Sequence, residues 1–190
     1  LGALSGKLTP VRFFRGLAPA AVTAFTTQSA VGTIPVTVSS LTTNLGVDED
    51  VASFTAGLGA NLGMPGCAGM WPTLVALFAL NATGTAFTPG QYVLLVLLTL
   101  VVSVGTVGVP GTATITATAL LAALGLPVET IALVAPISSI VDMGRTATNV
   151  VGAAEASLLV ARTEGLVDEE VYNGGEAYHL PSNKKAEAAA

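Results

Sequence analysis

Between Val51 and Val128 the sequence contains no Asp, Glu, Lys, Arg or His. A soluble domain cannot cover itself with such a stretch, because charged residues make up about a quarter of an ordinary globular chain. At about 20 apolar residues per crossing, the run is long enough for several membrane passages. Composition agrees: of 190 residues, 52% are hydrophobic and only 10% charged, with a mean hydropathy of +0.73. The class is a membrane protein. The chain opens at Leu1 with neither an initiator Met nor a basic leader segment, which predicts a fragment of a longer protein.

Against this background, ionisable groups inside apolar sequence mark where function is expected. The stretch from Ile140 to Val151 holds Asp142, Arg145, Thr146 and Asn149. An ion within the bilayer costs at least roughly 2.5 to 3.5 kcal/mol, so such residues face a bundle interior or a watery path. At 100° per residue the four fall on one helical arc about 100° wide. Together they offer a grip for an amino acid: Arg145 for a carboxylate, Asp142 for an ammonium, Asn149 for a remaining oxygen. The plainer alternative is an ion pair between Asp142 and Arg145 at i and i+3 that serves structure alone.

Other chemistry is excluded early. Cys67 and His179 are the only residues of their kind, so no intrachain disulfide and no Cys/His metal cluster can form. A Ser-His or Cys-His hydrolase would need His179 at the site, yet it lies in a polar tail, and no enzyme activity or cofactor is expected. Apart from Arg145, the basic residues Lys7, Arg12, Arg15, Arg162, Lys184 and Lys185 lie at the two ends. The positive-inside rule then puts both ends in the cytoplasm and requires an even number of crossings. The net charge of −5 comes from Asp48, Glu49, Asp50 and the tail acids and reads as loop solubility, with no nucleic-acid partner.

Taken in order, residues 1–15 form a cytoplasmic approach segment. Residues 16–47 carry polar and small residues at their centre, then Pro35, where a new helix is expected to begin with Thr33 as N-cap. We read this as a re-entrant hairpin. Residues 51–80 form a crossing helix whose middle, Asn61 to Gly69, is dense in Gly with Pro65 among them and should unwind. Non-helical backbone at membrane depth is tolerated where it lines a cavity or is buried in protein; a Gly-rich face for helix packing is the plainer reading. Residues 91–124 repeat the hairpin pattern around Pro110, residues 127–162 form the last transmembrane helix, and residues 163–190 form a disordered cytoplasmic tail. The predicted fold is an all-α membrane protein, an inverted repeat of two re-entrant hairpins and two transmembrane helices, with the hairpin tips meeting near the midplane.

Three motifs in this order resemble the dicarboxylate/amino acid:cation symporter family, the glutamate transporters and their bacterial relatives. Ser29-Ala30-Val31-Gly32-Thr33-Ile34-Pro35 resembles the first tip, Gly105-Thr106-Val107-Gly108-Val109-Pro110-Gly111 the second, and Asp142-Met143-Gly144-Arg145-Thr146 with Asn149 the last helix. The resemblance runs from about Phe13 to Glu164. It implies an elevator transporter working as a homotrimer in the plasma membrane, in contact with lipid, and moving a small amino acid substrate with Na+ or H+ as coupling ion. By residue it implies Asp142 on the substrate ammonium, Asn149 on the main carboxylate, Arg145 on a second acidic group and Thr146 assisting. Ser29, Ala30 and Val31 would form one gate and Val109, Pro110 and Gly111 the other, with the coupling-ion region at Gly63, Met64, Ser103 and Asn149.

The sequence also departs from that pattern. Where sodium-using members carry Asn-Met-Asp-Gly-Thr, this chain has Gly63-Met64-Pro65-Gly66-Cys67; Ala153 and Ser138 stand where carboxylates are usual. Sodium is a hard cation that needs oxygen ligands, so no metal site is assigned. Glu155 does not substitute, since it falls near 220° from Asp142 on the wheel. The stretch Pro65 to Pro72 looks closer to the cystine-uptake branch, and the expected activity is symport of L-cystine or an acidic amino acid. The alternatives are an ion-conducting channel and a non-transporting membrane subunit.

Overall fold

The computed structural model describes residues 8–62 and 64–174. Gly63 of the expected coupling-ion region lies outside them, as do Lys7, His179, Lys184 and Lys185. Among the described residues every regular element is helical, with one isolated antiparallel bridge, Val47 to Val167.

Helix α1 (Pro10–Thr27) has Pro at its first position and buries Phe13, Leu17, Ala20 and Ala24, a single stripe at helical spacing. Gln28 ends it in the left-handed conformation (φ 55°), and α2 (Ala30–Ser39) begins two residues later. The expected N-cap was Thr33 with Pro35 opening the helix; instead Ser29 caps it, its Oγ accepting from Gly32 N at 2.9 Å. The early cap wins because the Gln28 turn has already reversed the chain, so Pro35 falls inside α2 and removes one backbone bond. A π-helical turn (Ser40–Asn44) leads to α3 (Glu49–Leu62). After a second π-helical turn (Pro65–Met70) come α4 (Trp71–Thr83), α5 (Pro89–Val104), α6 (Thr112–Ala123), α7 (Thr130–Thr163) and α8 (Glu169–Tyr172).

Two apolar cores share α7. One joins α1, α2 and α3 to Val150, Ala154, Leu158 and Ala161 on the second half of α7. The other joins the Pro65–Met70 turn, α4, α5 and α6 to Ile131 and Val134 near its start. Between them, the fully buried residues of α7 are Ser138, Asp142, Arg145, Thr146 and Asn149, every one polar. The seam between two hydrophobic bodies is therefore where the polar stripe sits.

The outside is apolar as well. Helix α5 buries only Leu95 and Thr99 and exposes Val93, Val96, Leu97, Leu100 and Val101, a surface suited to lipid or to protein and not to water. Among the described residues, α3 and α4 taken together with the π-helical turn between them, Glu49–Thr83, form the one run long and apolar enough to cross a membrane. Helix α7, at 34 residues, has the length, about 51 Å at 1.5 Å per residue, but carries the polar stripe.

Residues 163–190 were expected to be disordered, but up to Gly174 they are folded. Asp168 N donates to Gly46 O at 2.7 Å and Asp48 N to Leu166 O at 3.1 Å; Arg162 pairs with Glu169. Gly46 is left-handed (φ 64°), and a Cβ there would strike the Asp168 carbonyl. Tyr172 is buried, donates to Thr9 O at 2.9 Å, and accepts at its own carbonyl from Arg12 Nε at 2.8 Å. The acidic composition hid Val171 and Tyr172, which face inward while the acids face out.

Burial pushes the Tyr172 phenol above its ordinary value, opposed in part by the Phe13 backbone and the Arg12 charge. The neutral phenol is the docked form, so its contribution is complete below about pH 10 and is lost as pH rises through the elevated folded value. The difference in 295 nm absorbance titration between the wild type and Tyr172→Phe should show a midpoint above 10; a midpoint at or below 10 would contradict the docking.

Candidate functional site

The site forms where the middle of α7 passes the Pro65–Met70 turn and the two helix connections. Pro65 lacks an N–H and Gly66 and Gly69 lack side chains, so the chain passes close to α7 and leaves polar backbone to be satisfied from it. Asn149, 2% exposed, does so: its Oδ1 accepts from Gly66 N at 2.8 Å, and its Nδ2 lies 3.2 Å from Cys67 Sγ. A Cβ on Gly66 would sit 3.0 Å from the Arg145 carbonyl and 3.1 Å from Asn149 Oδ1, so a side chain there would push α7 back by a few tenths of an ångström. The Cys67 thiol in turn donates to Asp142 Oδ1 at 3.5 Å.

Arg145 is 3% exposed. Its Nη2 donates to Asp142 Oδ1 at 3.0 Å, to the Ser138 carbonyl at 3.1 Å and to Ser138 Oγ at 3.4 Å. Its guanidinium carbon lies 4.0 Å from the centroid of the Trp71 ring. Nε and Nη1 are buried with no acceptor, which leaves three of the five N–H groups of this side chain unused. The i, i+3 pair weighed as a structural alternative is thus present, yet it occupies one guanidinium nitrogen and leaves two open. Thr146, equally buried, completes the stripe.

The two connections meet above it. Val31 N donates to Gly108 O at 3.0 Å, Ser29 Oγ to the same oxygen at 3.3 Å, and Gly108 N to Ala60 O at 3.0 Å. Gly108, not Pro110 or Gly111, makes the contact; those two are exposed, while Val109 lines the gap with Ala30, Met64, Cys67, Thr146 and Asn149. The gap is too narrow for a water molecule. Of the expected coupling-ion residues, Met64 is buried against Gly108 and presents sulfur; Ser103 is half-buried on α5 with no side-chain hydrogen bond to a described residue. No group of three or more His, Cys, Asp or Glu side chains is placed to hold a metal among the described residues. Sequence reading passed over Trp71 as a site residue, although it is the only tryptophan in the chain and sits in the motif next to the helix break.

The pattern of the sodium:dicarboxylate symporter family matches residues 1–163. This chain belongs to that family. It is 35% identical over 172 residues to the L-cystine uptake protein TcyP of Bacillus thuringiensis (strain Al Hakam), a match covering 90% of this chain and 37% of that protein. It is 38% identical over 157 residues to an uncharacterized symporter of Haemophilus influenzae, covering 82% and 36%, and 32% identical over 167 residues to the L-cystine uptake protein TcyP of Shouchella clausii, covering 87% and 36%. The chain thus spans little more than a third of these curated relatives. A symporter family is one of membrane transporters and not of enzymes, as expected from the sequence.

Within this member of the family, the stacking of Trp71 on Arg145 should have a measurable energy. A desolvated cation–π contact contributes about 2 kcal/mol. A double-mutant cycle of Trp71→Leu with Arg145→Met, read by thermal unfolding, should return a coupling of that size; additive effects would remove the contact.

Proposed function

We propose that the full-length protein is a plasma-membrane secondary transporter coupling uptake of an amino acid with a second acidic group to a cation gradient, with L-cystine as the substrate that fits best. The observation that carries this is Arg145: a buried guanidinium half satisfied by Asp142, Ser138 and Trp71, with Nε and Nη1 left open. A buried cation of this kind favours a carboxylate able to use the remaining donors. In this reading the distal carboxylate of the substrate takes Nε and Nη1, the ammonium of its other end takes Asp142, and Thr146 adds a hydroxyl. Asn149 reaches the main carboxylate by exchanging its bonds to Gly66 and Cys67. Two relatives named for L-cystine uptake support that substrate over a single acidic amino acid.

The bonded connections around Ser29, Ala30, Val31 and Gly108 to Gly111 act as re-entrant gates, and the described residues form the moving part of an elevator within a homotrimer, with the C-terminus cytoplasmic. For coupling, the residues at hand offer sulfur at Met64, an engaged amide at Asn149 and one carboxylate, Asp142. That donor set lacks the oxygen ligands a sodium cage needs, which favours a proton as the coupling ion.

The test is uptake of radiolabelled cystine and aspartate by the full-length protein in liposomes, with sodium and pH gradients imposed separately. Saturable cystine uptake driven by a pH gradient is expected. A sodium requirement would overturn proton coupling, and current without saturating uptake would replace the transporter by a channel.

A further inference from the structure

We propose that the pocket between the start of α1 and the folded end of the chain binds the phosphate of an anionic phospholipid from the cytoplasmic leaflet. The pocket is about 320 Å³, at the lower end of the range for ligand sites. It is lined by Arg12, Arg15, Gly16, Thr43, Asn44, Val171 and Gly174, with no carboxylate among these described residues.

What it presents is donors. Among the described residues Arg15 has no hydrogen bond or ion pair, so none of them takes up its guanidinium. Arg12 is held in place by its Nε bond to the Tyr172 carbonyl, which leaves its two terminal nitrogens for another acceptor. One amide hydrogen of Asn44 goes to Gly16 O at 2.8 Å and the other is unused. Gly174 (φ 99°) is what lets the Arg12 guanidinium through, since a Cβ there would overlap Nη2. Of the acids on α8, Glu169 pairs with Arg162, Asp168 caps the helix, and Glu170 is exposed and does not line the pocket. Two guanidinium groups with no carboxylate paired to them among the described residues ask for an anion, and their fork geometry matches phosphate oxygens.

The surroundings favour a lipid over a dissolved phosphate. On the same turn of α1, Val11 is 77% exposed and Phe14 56% exposed. Apolar side chains beside paired arginines, at an end placed in the cytoplasm by the positive-inside rule, describe a surface at the headgroup layer, where anionic lipids concentrate. The site is independent of the substrate assigned above.

The experiment measures the thermal unfolding temperature of the detergent-solubilised full-length protein with short-chain phosphatidylglycerol, phosphatidylcholine or inorganic phosphate at equal concentrations. Phosphatidylglycerol should raise it by several degrees and phosphatidylcholine should not. Arg15→Gln, which removes no hydrogen bond or ion pair among the described residues, should weaken the phosphatidylglycerol effect about tenfold in concentration, and Arg15→Lys should largely restore it. Equal shifts from the two lipids, or an undiminished shift in Arg15→Gln, would overturn the proposal. A shift of the same size from inorganic phosphate would overturn the lipid assignment.

Discussion

Arg145→Ala in the full-length protein should reduce uptake of cystine and acidic amino acids at least about 30-fold while leaving some uptake of neutral amino acids. Truncating one member of a buried, hydrogen-bonded charge pair costs about 2 to 5 kcal/mol, and tenfold in affinity corresponds to about 1.4 kcal/mol. The substitution also leaves Asp142 buried without its cation, so lost folding must be separated from lost recognition. The double variant Asp142→Asn/Arg145→Ala removes both charges. It should regain most of the thermal stability and none of the acidic-substrate uptake. If folded Arg145→Ala protein carries cystine as well as the wild type does, the guanidinium is not the selectivity group.

The second large effect is expected at Gly108. A methyl group there would lie 2.7 Å from Ala30 Cβ and 2.7 Å from the Ala60 carbonyl oxygen. The oxygen belongs to the α3 backbone and cannot rotate away, so Gly108→Ala must part the two connections and lose the Val31 and Ala60 bonds. Overpacking of this kind costs about 1 to 3 kcal/mol, which corresponds to several degrees in thermal unfolding for a unit of this size. If the two connections are the gates proposed above, uptake should fall with it, because they would no longer meet. Gly105 is the control: it lies on the same connection with nothing within 4 Å of a Cβ, and its φ of −96° suits alanine. Should Gly108→Ala prove as stable and as active as Gly105→Ala, the contact between the connections plays no part in the cycle.

The sequence disclosed some of this architecture because bilayer physics leaves few choices. A charge in the middle of an apolar helix must face protein, so the helical wheel alone found the buried stripe of α7, from Asp142 to Asn149. The break after Leu62 was legible from the density of Gly beside Pro65. Thr33 lost the capping role to Ser29 because a single left-handed residue, Gln28, turned the chain earlier than any composition rule foresees. The docked segment up to Gly174 was missed for a different reason. Its two inward residues, Val171 and Tyr172, are too few to give periodicity, and their anchors are backbone groups at Thr9 and Gly46 that no side-chain pattern encodes. The open nitrogens of Arg145 depend on where Trp71 and Ser138 stand, a matter of tertiary geometry alone.

The stripe divides α7 into two lengths of greasy contact joined by a stretch whose cohesion comes from a handful of directional bonds, from Gly66 to Asn149 and from Val31 to Gly108. Grease is indifferent to small slips, whereas directional bonds are exchangeable one for another. A molecule with two carboxylates and an ammonium, arriving at that joint, would act as mortar between two bricks, so that loading the carrier and stiffening it become a single event.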